Sequence, residues 1–399
     1  MTSEHSRPFT SICGQNLPMN DSVPLKIGIT CYPTVGGSGI LAAELGAELV
    51  ARGHEVHFIS YEKPFRLPED NPRVFFHPVT VNTYGLFKYP DYTLPLSVRM
   101  AEVARDHELD ILHVHYAVPH ATAAILAREM LPPGHKLRIV TTLHGTDTTL
   151  LGRDPGYGPA IRHALERSDA ITTVSEFLRR ETISHLGVQR PIEVIHNFFE
   201  PEPPTRTREE VRRELGVGAE ALILHISNLR PVKRIDLLLK AAARIHPADA
   251  FKLLIIAGES FAPFEAEVRR LGLEGRVIVR ERINRVEDYL QAADLALFSS
   301  ETESFCLGIL EAMCFGVPSV STAVGGIPEV IEDGVTGQLV PLGDTEALAD
   351  AAGRLIAEPA RRKRLGDAAR ARAGRLFSAE RIVPRYLDLY RRVMESGGH

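Results

Sequence analysis

Cysteine is scarce and scattered: Cys13, Cys31, Cys306 and Cys314 are the only four in 399 residues, and no two form a C-x-x-C pair. That spacing argues against a disulfide framework and offers no thiolate metal site. Long apolar runs are missing as well. The first twenty residues hold no stretch fit for a signal peptide, and none elsewhere reaches the roughly 18 apolar residues of a membrane span. Neither sign of charge dominates. A formal net charge of -5 gives no electrostatic reason to expect nucleic acid as a partner. The basic clusters Arg361-Arg362-Lys363-Arg364 and Arg370 to Arg375 have helical composition and read as solvated helix faces. The expected setting is the cytoplasm, with no membrane span.

What is present suits a globular protein of two cores. The chain is 44% hydrophobic and longer than one core usually serves. Residues 1–22 are polar and read as a disordered leader. An apolar, β-branched run Leu25–Cys31 then leads into Gly36-Gly37-Ser38-Gly39. Leu41, Leu45, Leu49 and Val50 follow at helical spacing, and a second strand is expected at Val56–Ser60. This strand–turn–helix–strand unit implies a parallel sheet. Further strands are predicted at Ile111–His115, Arg138–Leu143, Ala170–Val174 and Glu193–Ile195, and helices at Leu96–His107, Ala121–Met130, Pro159–Arg167 and Glu176–His185.

A Pro- and charge-rich stretch, Glu200-Pro201-Glu202-Pro203-Pro204, separates this series from a second. The second has strands at Leu222–Ile226, Lys252–Ala257, Val277–Arg280, Leu295–Phe298, Ser319–Ser321 and Gly337–Val340. The expected division is an N-terminal Rossmann-like domain over 23–198, a linker over 199–218, a C-terminal Rossmann-like domain over 219–378 and a packing helix in 379–399. That last helix shows Ile382, Tyr386, Leu389, Tyr390 and Val393 on one side, ready to cross back to the first domain. The fold class is α/β, two doubly wound domains facing a cleft where strand ends and helix starts meet.

The residues that carry chemistry cluster near Glu303-Ser304-Phe305-Cys306-Leu307-Gly308-Ile309-Leu310-Glu311. A helix starting near Leu307 would aim the amides of Ser304 to Gly308 at an anion. Glu311 can accept hydrogen bonds from a ribose diol and Glu303 from a hexose hydroxyl; a dipole-facing acid and a solvated glutamate explain the same spacing equally well. Gly36 and Gly37 can admit a diphosphate to the backbone, yet a tight turn or a nicotinamide site uses such glycines too. The G-x-G-x-x-G spacing is absent, so Glu62 is a weak candidate for the ribose acid of an oxidoreductase. His113, His115, His120 and His144 invite a metal, but no carboxylate or cysteine completes a site. They are expected to line the cleft or pack beneath it.

Two glutamates seven residues apart in an ESF-x-L-x-x-LEAM setting, followed by Gly-Val-Pro, resemble the signature of the retaining family 4 glycosyltransferases. Val174-Ser175, Asn197, Lys233 and Gly325-Gly326-Ile327-Pro328-Glu329 extend the likeness from about Lys26 to Tyr390. The resemblance implies the GT-B fold. It is strongest to the branch that joins N-acetylglucosamine to L-malate in bacillithiol biosynthesis, on strings such as Lys26–Gly39, Pro64-Phe65-Arg66-Leu67, His113–Tyr116, Thr142–Asp147, His196-Asn197-Phe198 and Ser227–Arg234. It implies the substrates UDP-N-acetylglucosamine and L-malate, no cofactor, no metal and a homo-oligomer.

Carried over position by position, the resemblance gives catalytic roles to His144, Lys233, Arg230 and Glu303. The donor would meet Gly36, Gly37, Asn228, Arg230, Lys233, Arg282, Glu303, Ser304, Phe305, Cys306, Leu307, Gly308 and Glu311. The acceptor would meet Ser38, Tyr116, Thr142 and Thr146. Many relatives have Gly-Arg at Ser227-Asn228 and Gly at Cys306. Arg99, Arg66, Arg153 and His120 are candidates for the malate carboxylates. Other readings are a different acceptor such as inositol phosphate or a lipid-linked sugar, a sugar-nucleotide epimerase, and a nicotinamide oxidoreductase.

Overall fold

The computed structural model describes residues 23–33, 37–64, 67, 71–81, 91–247, 250–283 and 285–396. The expected leader, Gly36 and Arg66 lie outside them. Among the described residues, thirteen strands form two sheets. The first contains β1 (Lys26–Thr30), β2 (Glu55–Ser60), β3 (Val74–Pro78), β4 (Ile111–His115), β5 (Arg138–Leu143), β6 (Ala170–Thr173) and β7 (Ile192–Val194), in the order β3-β2-β1-β4-β5-β6-β7. The second contains β8 (Ala221–Ser227), β9 (Phe251–Ala257), β10 (Val277–Glu281), β11 (Leu295–Phe298), β12 (Ser319–Thr322) and β13 (Gly337–Val340), in the order β10-β9-β8-β11-β12-β13. All pairings are parallel, and helices stand in the crossovers within each sheet, with none among the described residues between β2 and β3. The α/β, doubly wound GT-B expectation is met.

Strand order reverses between β1 and β4 and again between β8 and β11. At such switch points neighbouring loops leave the sheet in opposite directions and open a crevice at the carboxyl ends. The loops after β1, β4, β8 and β11 therefore carry the site.

Two elements depart from the sequence reading. Strand β3 was not predicted; its short Val-Phe-Phe-His-Pro run is half-exposed at the sheet edge and has no alternating pattern to betray it. Within 199–218, Arg208–Glu214 is a helix rather than linker. Thr207 caps it and Glu210 returns the bond to the Thr207 amide, a capping box legible as Thr-x-x-Glu.

The final helix, Ala379–Glu395, packs on the first sheet although it follows the second in sequence. Tyr386, Leu389 and Tyr390 share a core with Ile27, Ile29 and Val140, and Tyr390 Oη lies 2.7 Å from His113 Nδ1. Burying a large apolar side chain contributes roughly 1.5–3 kcal/mol, so the crossing helix ties the two lobes together. A contiguous core also runs through both, from Leu143 and Val174 to Phe305 and Met313. Among the described residues no helix is long and apolar enough to cross a membrane.

Candidate active site

A cleft of about 1230 Å³ lies between the lobes and is lined by the loops at both switch points. The helix Leu307–Cys314 begins beside it. Its cap residue, Cys306, has φ 72°, a left-handed conformation that L residues other than glycine rarely take. A glycine, which the resemblance implies at this position, takes that geometry without strain. Gly308 is the second residue of this helix. A Cβ there would come within 3.0 Å of the Ile226 carbonyl and 3.1 Å of the Phe298 ring, so its absence lets the helix start lie directly on β8 and β11. Residues Ser304 to Gly308 of this helix start line the cleft, and a helix leaves the amides of its first residues without intrahelical partners, the Ile309 amide here turning to the Cys306 carbonyl at 3.2 Å.

The cation expected beside this helix start is in place. Lys233 Nζ lies 2.5 Å from Glu303 Oε1, which also accepts a 2.7 Å hydrogen bond from Ser300. Burial works against the lysine charge, but the Glu303 carboxylate outweighs it and holds the ammonium above its ordinary pKa. Lys233 is thus charged and braced by an acid. Arg230, Arg282, Asn228 and Glu311 line the same wall. His225 donates from Nδ1 to the Leu297 carbonyl at 2.8 Å, so its Nε2 accepts from Ser227 at 2.7 Å. Burial lowers this histidine to about 4, and it supports the loop after β8 as a neutral ring.

On the opposite wall stand Gly37, Ser38, Tyr116, His144 and Thr146, with Tyr32 and Arg153 beside them. Ser38 donates to Tyr116 Oη at 3.2 Å. Tyr116 itself has φ 82°, a strained conformation of the kind that gathers at functional sites. His144 Nε2 lies 2.8 Å from His115 Nδ1, and burial pushes the His144 pKa down to about 3. It is a neutral hydrogen-bonding group, not a proton donor drawn from an imidazolium. His113, His115 and His144 stack in a row, at 4.6 and 5.1 Å between centroids, beneath and into the cleft.

The structure gathers nearly all the predicted residues that it describes: Gly37, Asn228, Arg230, Lys233, Arg282, Glu303 to Gly308, Glu311, Ser38, Tyr116, His144 and Thr146 all line the cleft. Thr142 is the correction. Its side chain is buried under the floor, 2.7 Å from His113 Nε2 and 2.6 Å from Thr172, and reaches no ligand space. Among the candidate cations for malate, Arg153 lines the cleft, 3.2 Å from Glu181, while Arg99 pairs with Glu102 and His120 is buried.

Sequence reasoning missed three contributors. Asp147 accepts from the Gly145 amide at 3.0 Å and the Ala117 amide at 3.3 Å, joining the loops after β4 and β5. Gly145 abuts the second lobe: a Cβ there would fall 1.9 Å from Ser304 Oγ. Glu329 accepts from the amides of Glu176 and Phe177 at 2.9 and 2.8 Å and from His196 at 3.2 Å, bridging the lobes. Each had a cue only as part of a quoted string, Gly145 and Asp147 in Thr142–Asp147 and Glu329 at the end of Gly325–Glu329, and neither string showed the contacts made.

Comparison with known proteins agrees with this geometry. Residues 35–203 match the model of Glycosyltransferase Family 4, and residues 207–372 that of Glycosyl transferases group 1. The chain is 45% identical over 369 residues to N-acetyl-alpha-D-glucosaminyl L-malate synthase of Bacillus anthracis, covering 92% of this chain and 96% of that one. It is 28% identical over 393 residues to D-inositol 3-phosphate glycosyltransferase of Xylanimonas cellulosilytica, covering 89% of this chain and 91% of the relative. Anabaena HepE in complex with UDP-glucose superimposes with a TM-score of 0.76 at 20% identity, over 92% of this chain and all of that one. Sucrose-phosphate synthase from Thermosynechococcus elongatus gives 0.77 at 22% identity, over 94% of this chain and all of that one.

Proposed function

The chain belongs to glycosyltransferase family 4, and we propose that it moves N-acetylglucosamine from UDP-N-acetylglucosamine to the hydroxyl of L-malate, retaining the anomeric configuration, as the first step of bacillithiol synthesis. The observation that carries this reading is the 45% identity, across nearly the whole chain, to a relative named for that product. The charged Lys233 beside an open helix start supports it from the chemistry.

In this reading the donor diphosphate lies against the amides of Ser304 to Gly308 and takes the Lys233 charge from Glu303. Glu303 then accepts from a sugar hydroxyl while Ser300 holds its position. Glu311 meets the ribose. The bond from the anomeric carbon to the β-phosphate oxygen breaks on the face where the malate hydroxyl attacks, and the departing phosphate takes the hydroxyl proton. Lys233, Arg230 and the helix amides stabilise the charge that gathers on the leaving group, where preorganised donors contribute most. No step uses a metal or cofactor. Neutral His144 holds the transferred sugar. Tyr116, Ser38 and Thr146 border the acceptor, and Arg153 is the cation that the first lobe brings to the described lining for a malate carboxylate. The same reading carries a cytoplasmic setting and a homo-oligomer, which light scattering tests.

The test is UDP release from UDP-N-acetylglucosamine with and without L-malate, with the product anomer read by proton NMR. Malate-dependent release and an α-linked product are expected. Turnover that malate does not stimulate, with inositol phosphate acting instead, would move the chain to another acceptor; altered donor with no UDP release would make it an epimerase.

A further inference from the structure

Three imidazoles meet away from the cleft, on the first sheet. His57 on β2, His77 on β3 and His107 in the last turn of the helix Thr93–His107 offer ring nitrogens that all lie within 4.8 Å of one another. Their ring centroids form a triangle with sides of 4.5, 5.1 and 5.2 Å. Three imidazoles bound tetrahedrally to one ion at about 2.0–2.1 Å place their centroids about 5 Å apart. The trio already has that spacing.

The hydrogen bonds orient one ligand. His57 Nε2 is 2.8 Å from Glu55 Oε1, and a carboxylate accepts, so the His57 proton sits on Nε2 and Nδ1 turns its lone pair inward, 2.9 Å from His77 Nε2. A carboxylate behind an imidazole is the usual outer-shell support of a metal-ligating histidine. Two cations stand nearby. Lys26 donates to the His107 carbonyl at 3.0 Å, and Arg99 is paired with Glu102 at 3.0 Å. None of the three histidines lines the cleft.

We propose that His57, His77 and His107 bind a divalent transition cation of the zinc class, which staples the edge strand β3 to β2 and to the end of the adjoining helix. All-imidazole ligation suits such ions and not calcium or magnesium. The site is structural and stands apart from sugar transfer.

The test titrates the untagged, chelator-stripped full chain with zinc chloride by calorimetry and with cobalt chloride by visible absorption, following thermal unfolding alongside. One equivalent per chain is expected, with a higher Tm on binding, tetrahedral cobalt bands and no change in the rate of UDP release. His107→Ala should abolish the stoichiometric binding. Glu55→Ala, which leaves all three ligands in place, should weaken it about 10–100-fold. No binding to the wild-type chain, or binding that survives unchanged in both variants, would overturn the proposal.

Discussion

Lys233 and Glu303 are the pair on which the donor reading turns, because each neutralises the other until a phosphate arrives. Lys233→Ala removes a charge needed most as the diphosphate departs, and should lower kcat about 100- to 1000-fold, the range seen for loss of one preorganised donor. Glu311→Ala should instead weaken UDP binding about 10- to 100-fold, the equivalent of a lost charged hydrogen bond, with a smaller change in kcat. Steady-state kinetics and UDP titration separate the two. Cys306 offers a test of backbone rather than side chain. With φ 72°, Cys306→Gly should keep turnover, while Cys306→Val should lose about 1–2 kcal/mol of stability in denaturant unfolding, because a β-branched residue tolerates the left-handed region least. Which residues line the cleft beside the helix start was legible from the strings around Glu303 and Lys233. That Cys306 would take a positive φ was not, because dihedral angles leave no mark on a residue name. Nor was the burial of Thr142, whose hydroxyl is engaged by His113 and Thr172 from neighbouring strands.

The turn after β5 is organised as a unit by Asp147. Burial raises this carboxyl from an ordinary 3.8 to about 6, against the opposing pull of the amides it accepts from, among them Gly145 and Ala117. A folded pKa above the unfolded one means that the contribution to stability is present below the unfolded value and is lost as pH rises through the folded one. The stability of the wild type relative to Asp147→Asn should therefore fall as pH rises from about 3.8 to about 6 and be flat above that window. Denaturant unfolding across this range checks it; a difference that rises instead would show that the carboxylate is favoured in the folded state. At this scale periodicity served well. Most strands and the long helices fall where apolar spacing put them. The exceptions have physical causes: β3 lies at an edge with neither face fully covered, and the Arg208–Glu214 helix is announced by its cap rather than by an apolar stripe, since Val211 is the buried residue it offers.

Two lobes joined by a linker can open, and the contacts that oppose opening lie far apart in sequence. Glu329 grips the start of the helix Glu176–Leu186 from the second lobe, and its carboxyl is held below the ordinary range: burial opposes this, but His196 and the two amides prevail. Glu329→Ala leaves two amides without that acceptor and should cost about 1–3 kcal/mol. It should also increase the radius of gyration in small-angle scattering as the lobes part. A compact, equally stable variant would remove Glu329 from any role in holding them. Such bridges were not legible in the sequence. The Gly-Gly-Ile-Pro-Glu string marked kinship but said nothing of a partner 153 residues away.

The claim at the centre of this account is electrostatic and has a place: an anion held where Lys233 faces the start of the helix Leu307–Cys314. A crystal structure of the chain with UDP tests it most directly. The predicted result is a diphosphate within hydrogen-bonding distance of Lys233 Nζ and the amides of Ser304 to Gly308, with the ribose on Glu311. UDP bound elsewhere, with the Lys233–Glu303 pair intact and the helix start vacant, would contradict it.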